Sequence, residues 1–223
     1  LRVSASGMEK GARKKTAAVA IAALIAVILI AGCAGKGTGN SKKGDVAATV
    51  NGVSIYFGEV NEEYASLSAE QRESISKADT LSFVIEREIL YQQAVKEGLK
   101  ATKEEQQQAY ELLLLENNVT EQELSGQLAA RNSSVERLKA ALRKQILINK
   151  VLDKAAKKSY VIKKEEVEAV YNSGNFKASG VSFEAAQKGI VDLLTAQRQK
   201  AEREDYIQSL KDKAKVVIIA VPS

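Results

Sequence analysis

The chain has 223 residues, of which 45% are hydrophobic, 27% charged and 5% aromatic, with one Pro, one Cys and neither Trp nor His. Without histidine there is no imidazole to act as acid or base, to activate a serine or cysteine nucleophile, or to ligate a metal, and a single cysteine permits no intrachain disulfide. The formal charge of +5 is concentrated at one end: residues 1–32 carry five basic side chains and one acidic, leaving 28 basic against 27 acidic in the rest, so the remainder lacks the basic footprint of a nucleic-acid binder.

The N-terminus reads as an address. Lys10, Arg13, Lys14 and Lys15 precede an apolar run from Thr16 to Ile30, and Ala31, Gly32 and Cys33 follow. A positive segment, an apolar segment and small residues before a cut site make a secretory signal. Ile30-Ala31-Gly32-Cys33 resembles the bacterial lipobox, which implies cleavage before Cys33 and acylation of its thiol. Two or three acyl chains on one residue hold a protein stably at a membrane. The alternative is an uncleaved span, since the 20 residues from Thr16 to Gly35 are uncharged, about enough to cross a bilayer. In both cases the positive side stays inside and the domain lies outside. Residues 1–32 are thus expected to be a lipoprotein signal peptide, and residues 33–44 a lipidated cysteine with a flexible tether.

Residues 45–223 are expected to form one mainly α domain. Val46–Val50 is a short strand, Asn51-Gly52 a hairpin turn, and Val53–Ile55 the return. Helical spacing predicts a helix over 57–66 and another over 80–97, the latter stopped by Gly98. Thr102 with Glu105, Thr120 with Glu123, and Ser133 with Glu136 fit the capping box. They predict helices over 103–116, 121–131 and 134–158. A short helix over 163–171 precedes a loop at 172–180, rich in Gly, Ser and Asn. A long helix over 182–213 follows, with Gly189 as its weak point. Val216–Val221 is β-branched and of strand length. Since a solitary apolar strand needs a partner, it is expected to pair with the N-terminal hairpin and close a small sheet.

The pairs Glu104-Glu105 and Glu165-Glu166 are not read as catalytic carboxylates. Adjacent helical residues point about 100° apart, and acids in a first turn favour the helix dipole.

The valine-rich strand, Asn51-Gly52-Val53-Ser54-Ile55 and the helix opened by Phe57 resemble the start of the SurA N-terminal domain. Thr80–Leu99, Thr120–Leu152 and Ser182–Val217 resemble, in order, its characteristic helix, its next helices, and its returning helix and strand. The family, which includes the PrsA-like lipoproteins, consists of extracytoplasmic folding factors whose helical arms are similar to those of trigger factor. Most members carry a parvulin-type prolyl isomerase domain before the returning helix. Here residues 172–181 hold that place, and the histidines of a parvulin site are missing.

The resemblance therefore implies a chaperone core without isomerase activity: a lipid-anchored holdase, without cofactor or metal, that captures unfolded or exported polypeptides between helical lobes. The alternatives are a scaffold for one specific partner, or an isomerase relative with residual activity. Tyr91, Tyr110, Leu113, Leu114, Tyr171, Phe176 and Tyr206 are the candidate client contacts, because Tyr offers an apolar face with a polar tip and Leu112–Leu115 is apolar on every side. For each of these the competing reading is core packing.

Overall fold

In a computed structural model, the structure describes residues 46–131, 133–156, 159–174, 176 and 179–221. Ile30, Ala31, Gly32, Cys33 and the tether lie outside the described residues. The chain forms two compact units, residues up to Ile148 together with those from Ala214 onward, and residues Asn149–Lys213.

The first unit opens with β1 (Val46–Val50) and β2 (Val53–Tyr56). Asn51 and Gly52, at φ 51° and 86°, supply the two left-handed positions of a tight hairpin whose twist matches its strands. β1 pairs antiparallel with β2 and, on its other side, with β3 (Val216–Ile218), giving the order β2-β1-β3. The two chain ends of the fold therefore meet in the sheet, as the apolar C-terminal run demands. β3 is shorter than its β-branched sequence predicts: its regular ladder with β1 ends at Ile218, and beyond it the amides of Ile219 and Ala220 both converge on the Ala47 carbonyl, at 2.8 and 3.1 Å.

Asn51 joins three parts of this unit. Its backbone N–H donates to the Lys215 carbonyl (2.9 Å), and its side-chain Oδ1 accepts from the Lys215 amide (2.8 Å). Its Nδ2 donates to Gln92 Oε1 (2.8 Å), while Gln92 Nε2 donates to the Val50 carbonyl (3.1 Å). The turn is thereby fastened to the approach to β3 and to a helix.

Helix α1 (Phe57–Ser66) follows β2 directly. A six-residue helix, α2 (Ala69–Ser74), is capped reciprocally by Ser68 and Gln71, and α3 (Lys77–Lys96) by Ser76 and Asp79. The first was not expected from the sequence, and the second begins three residues before the predicted Thr80. α3 buries Leu81, Val84, Ile85, Ile89, Leu90 and Ala94, most of them spaced three or four apart. It ends where expected: Gly98 takes φ 68°, and the Leu99 amide reaches back to the Ala94 carbonyl (3.0 Å).

α4 (Lys103–Asn117) and α5 (Glu121–Ala130) start at the predicted boxes of Thr102 and Thr120. Asn118, at φ 49°, stops α4. α6 (Val135–Ala155) begins one residue late, because Ser134 rather than Ser133 caps it: Ser134 Oγ accepts from the Arg137 amide (3.4 Å). Ala109, Tyr110, Leu113, Leu124, Leu128, Leu138 and Leu142 form a core between these three helices.

In the second unit, α7 (Lys164–Ser173) and α8 (Phe183–Lys213) pack against each other around Val167, Tyr171, Ala186 and Ile190. α8 runs without a break through Gly189.

Asn51 gives a direct test of the first unit. Replacement by Ala removes two side-chain hydrogen bonds and puts at positive φ a residue that tolerates it less well than Asn, so Asn51→Ala should lower unfolding free energy by about 2–4 kcal/mol. Asn51→Gly keeps the backbone conformation and should lose roughly half as much. Urea unfolding measures both, and equal losses would contradict the conformational share.

Candidate functional site

The register of the sheet decides which apolar side chains are covered. Ile55, Ala48 and Ile218 lie in one cross-strand row, and Ser54, Thr49 and Val217 in the next. Ala47, Ala48, Val50 and Ile55 are buried. At the β3 end of those rows the covering stops: Val217 is 45%, Ile218 56% and Ile219 56% exposed, and Val221 is also exposed. On the opposite edge Val53 and Tyr56 are exposed. Scattered exposed apolar residues are ordinary in any protein. An uncharged run from Val216 to Val221, exposed at every residue after Val216, is a contiguous feature of another kind.

The helical part of the same unit carries an ion network. Arg87 bonds Glu63 (2.8 Å) and lies 3.9 Å from Glu59, and Lys144 bonds Glu88 (2.7 Å). Glu88 also accepts from Gln92 (3.0 Å). Burial raises the Glu59 carboxyl above its ordinary 4.5, with Lys144 and Arg87 pulling it back. These charges fasten α1, α3 and α6 to one another; they do not form an open cluster.

The residues singled out in the sequence are divided by burial. Tyr110 is 2% exposed and Leu113 0%. Both sit in the core of α4, α5 and α6, so the expectation that they contact a client is corrected: neither side chain offers surface. Leu114 packs partly buried against the same core, and Leu115, at 76% exposure, is the open member of the four-leucine run. Tyr171 is corrected likewise, being buried in the second unit. Phe176 stacks on Tyr171 (5.7 Å between centroids) and Phe183 meets its edge (5.4 Å), while its hydroxyl donates to the Val181 carbonyl (2.8 Å). These contacts pin the short connection between α7 and α8. A Cβ on Gly174 would fall 2.7 Å from the Phe176 ring, so that residue must be small. Tyr91 is half-buried beneath the Lys144 ammonium (4.7 Å to the ring centroid), and Tyr206 is half-buried on α8. Within each unit the candidates are divided between the core and half-buried positions. The exposed β3 run was missed as a site because its apolarity suggested a strand needing cover.

The acidic pairs are structural. Glu105 closes the Thr102 capping box, and Glu166 accepts from the Lys163 amide (2.7 Å) and pairs with Arg198. The Lys163 amide, then Arg198, hold the Glu166 carboxyl below its ordinary 4.5. Among the described residues there is no group of three or more His, Cys, Asp and Glu able to hold a metal, and no helix long and apolar enough to cross a membrane.

Comparison with known proteins places this arrangement. The model of the SurA-like N-terminal domain matches residues 7–152. No curated protein matches the chain. Among solved structures, one chain from work on PEB4 and the periplasmic protein Cj1289, described as two structurally related SurA-like chaperones of Campylobacter jejuni, is similar with a TM-score of 0.55 at 11% identity. The match covers 78% of this chain and 98% of that one, a likeness of fold.

Tyr110 separates packing from polarity. Among the described residues its buried hydroxyl makes no hydrogen bond of ordinary geometry, and burial, followed by the close Glu121 side chain and the Glu121 and Glu136 charges, pushes its pKa up to about 12. Tyr110→Phe should therefore leave stability within about 1 kcal/mol of the parent or raise it. Leu113→Ala, which opens a cavity in the same core, should cost about 2–5 kcal/mol. A loss above about 2 kcal/mol for Tyr110→Phe in urea unfolding would show that the hydroxyl has a partner.

Proposed function

We propose that this chain, which belongs to the SurA-like N-terminal domain family, is an extracytoplasmic chaperone that holds unfolded or exported polypeptides and releases them without prolyl isomerisation. Family membership supports the chaperone role itself. The holding activity, the lipid anchor at Cys33 and the lack of catalysis are proposed with it.

The observation that carries it is the exposed apolar run that begins in β3, held on a sheet whose central strand buries Ala47, Ala48 and Val50. Apolar surface removed from water is worth roughly 25 cal/mol per Å², so a client segment laid on such a surface gains a few kcal/mol without any specific sequence. Binding of that kind is weak per residue and reverses without nucleotide. The ordered scaffold keeps the surface open at little further cost in conformational entropy.

Two sequence features support the absence of catalysis. The chain has no histidine, and fewer than ten residues separate α7 from α8, where relatives of this family carry an isomerase domain. The lipobox-like Ile30-Ala31-Gly32-Cys33 supports anchoring on the outer side of the membrane.

The test uses the full chain in lipid nanodiscs with two unrelated, chemically unfolded proteins. Near-stoichiometric chain should suppress light scattering by both, and a proline-limited refolding reaction should keep its uncatalysed rate. Suppression of neither would remove the chaperone reading in favour of a single-partner scaffold. Acceleration at substoichiometric chain would overturn the non-catalytic part.

A further inference from the structure

We propose that the outer edge of β3 is a strand-addition site for an extended apolar polypeptide segment flanked by carboxylates; this deepens, and rests on, the chaperone reading above. The direction of the backbone groups carries the argument. The Asn51 amide donates to the Lys215 carbonyl, the Ile219 amide donates to the Ala47 carbonyl, and Thr49 stands opposite Val217. Backbone polar groups in an antiparallel ladder alternate from side to side. Residues 215, 217 and 219 therefore face β1, and the N–H and C=O of Val216 and Ile218 face away from it. Among the described residues no strand lies on that side.

Proteins ordinarily protect such an edge with Lys, Pro or an inward charge. Val216–Val221 has none of these, and its Ile218, Ile219 and Val221 side chains are exposed. A strand laid there would satisfy the two outward amides and carbonyls and cover those side chains at once. The recognition is by main chain, so it accepts many sequences. It also requires the client's own backbone groups to be free, which distinguishes an unfolded segment from a folded one. Folding of the client then withdraws those groups and releases it.

Charge fixes the rest of the occupant. Lys215 is exposed at the start of the strand, Lys213 precedes it by two residues, and no acidic residue lies between Lys213 and Val221. An antiparallel client would place its C-terminal flank beside Lys215, where Asp or Glu is favoured and Lys is not. A second copy of this chain is the poorer fit. It would bring no carboxylate within the run, and pairing two six-residue segments buries far less than the roughly 1,000 Å² of a stable interface.

The test measures fluorescence anisotropy of the labelled octapeptide Ser-Val-Thr-Val-Thr-Ile-Asp-Asp with the full chain in nanodiscs. The peptide should bind, and N-methylation of alternate amides, which spares every side chain, should weaken it about tenfold or more. Replacing its two Asp by Lys should weaken it several-fold. Ile218→Pro removes an outward donor on an edge where Pro is tolerated, and should weaken binding about tenfold with circular dichroism unchanged. Should that variant misfold, the methylated peptide still decides the question. Equal binding of methylated and unmethylated peptide would overturn the proposal, as would a chain that sediments as a dimer until Ile218 is replaced. If the peptide does not bind while aggregation of unfolded proteins is still suppressed, the edge site fails and the chaperone reading stands.

Discussion

The pairing of β1 with β3 is the constraint on which the first unit depends. It joins residues about 170 positions apart in sequence, and the entropy of closing so long a loop must be offset by the contacts formed at the closure. Asn51 concentrates those contacts. One side chain and one amide bind the Lys215 backbone in both directions, while the same side chain reaches Gln92 on α3. A hairpin turn that elsewhere would only reverse the chain here also fixes the register of the returning strand. With β1 paired on both edges and its Ala47, Ala48 and Val50 buried, the sheet has a fixed centre, and its edges can stay open without loosening it.

That division between a closed centre and an open edge links stability to function. Tyr110, Leu113 and Tyr171 are spent on packing, and the ion network of Arg87, Glu63, Lys144 and Glu88 is spent on holding helices together. What remains accessible is the apolar end of the sheet, with isolated residues such as Phe83 and Leu115 elsewhere. A surface of this sort has no shape to match one ligand closely. Its chemistry suits a partner defined by exposed backbone and apolar side chains, which is what an unfolded polypeptide presents.

Much of the fold was legible because its boundaries are written in short-range chemistry. Thr102 with Glu105, Thr120 with Glu123, Asn51-Gly52 and Gly98 each satisfy a local backbone requirement, and each lies where the sequence placed it. α2 was missed because it buries nothing and so has no apolar period; only its Ser68–Gln71 box betrays it. Ser133 and Ser134 are chemically alike, so the capping pattern alone does not choose between them. The candidate site was less legible for a related reason. A tyrosine or leucine on an amphipathic helix carries the same local signal whether it faces a core or a client. Exposure at β3 follows from where the sheet stops and the helices fail to cover it, a tertiary property that no window of sequence contains.

Hydrogen exchange of individual backbone amides reads both the β1–β3 junction and the open outer edge of β3. The amides of Asn51, Val217 and Ile219 should be protected up to the global stability of the first unit, and those of Val216 and Ile218 should exchange quickly in the free chain and slow when an unfolded protein is added. Protection of Val216 and Ile218 in the free chain would show that the edge is already covered, and rapid exchange at Val217 and Ile219 would show that the two ends of the fold are not joined.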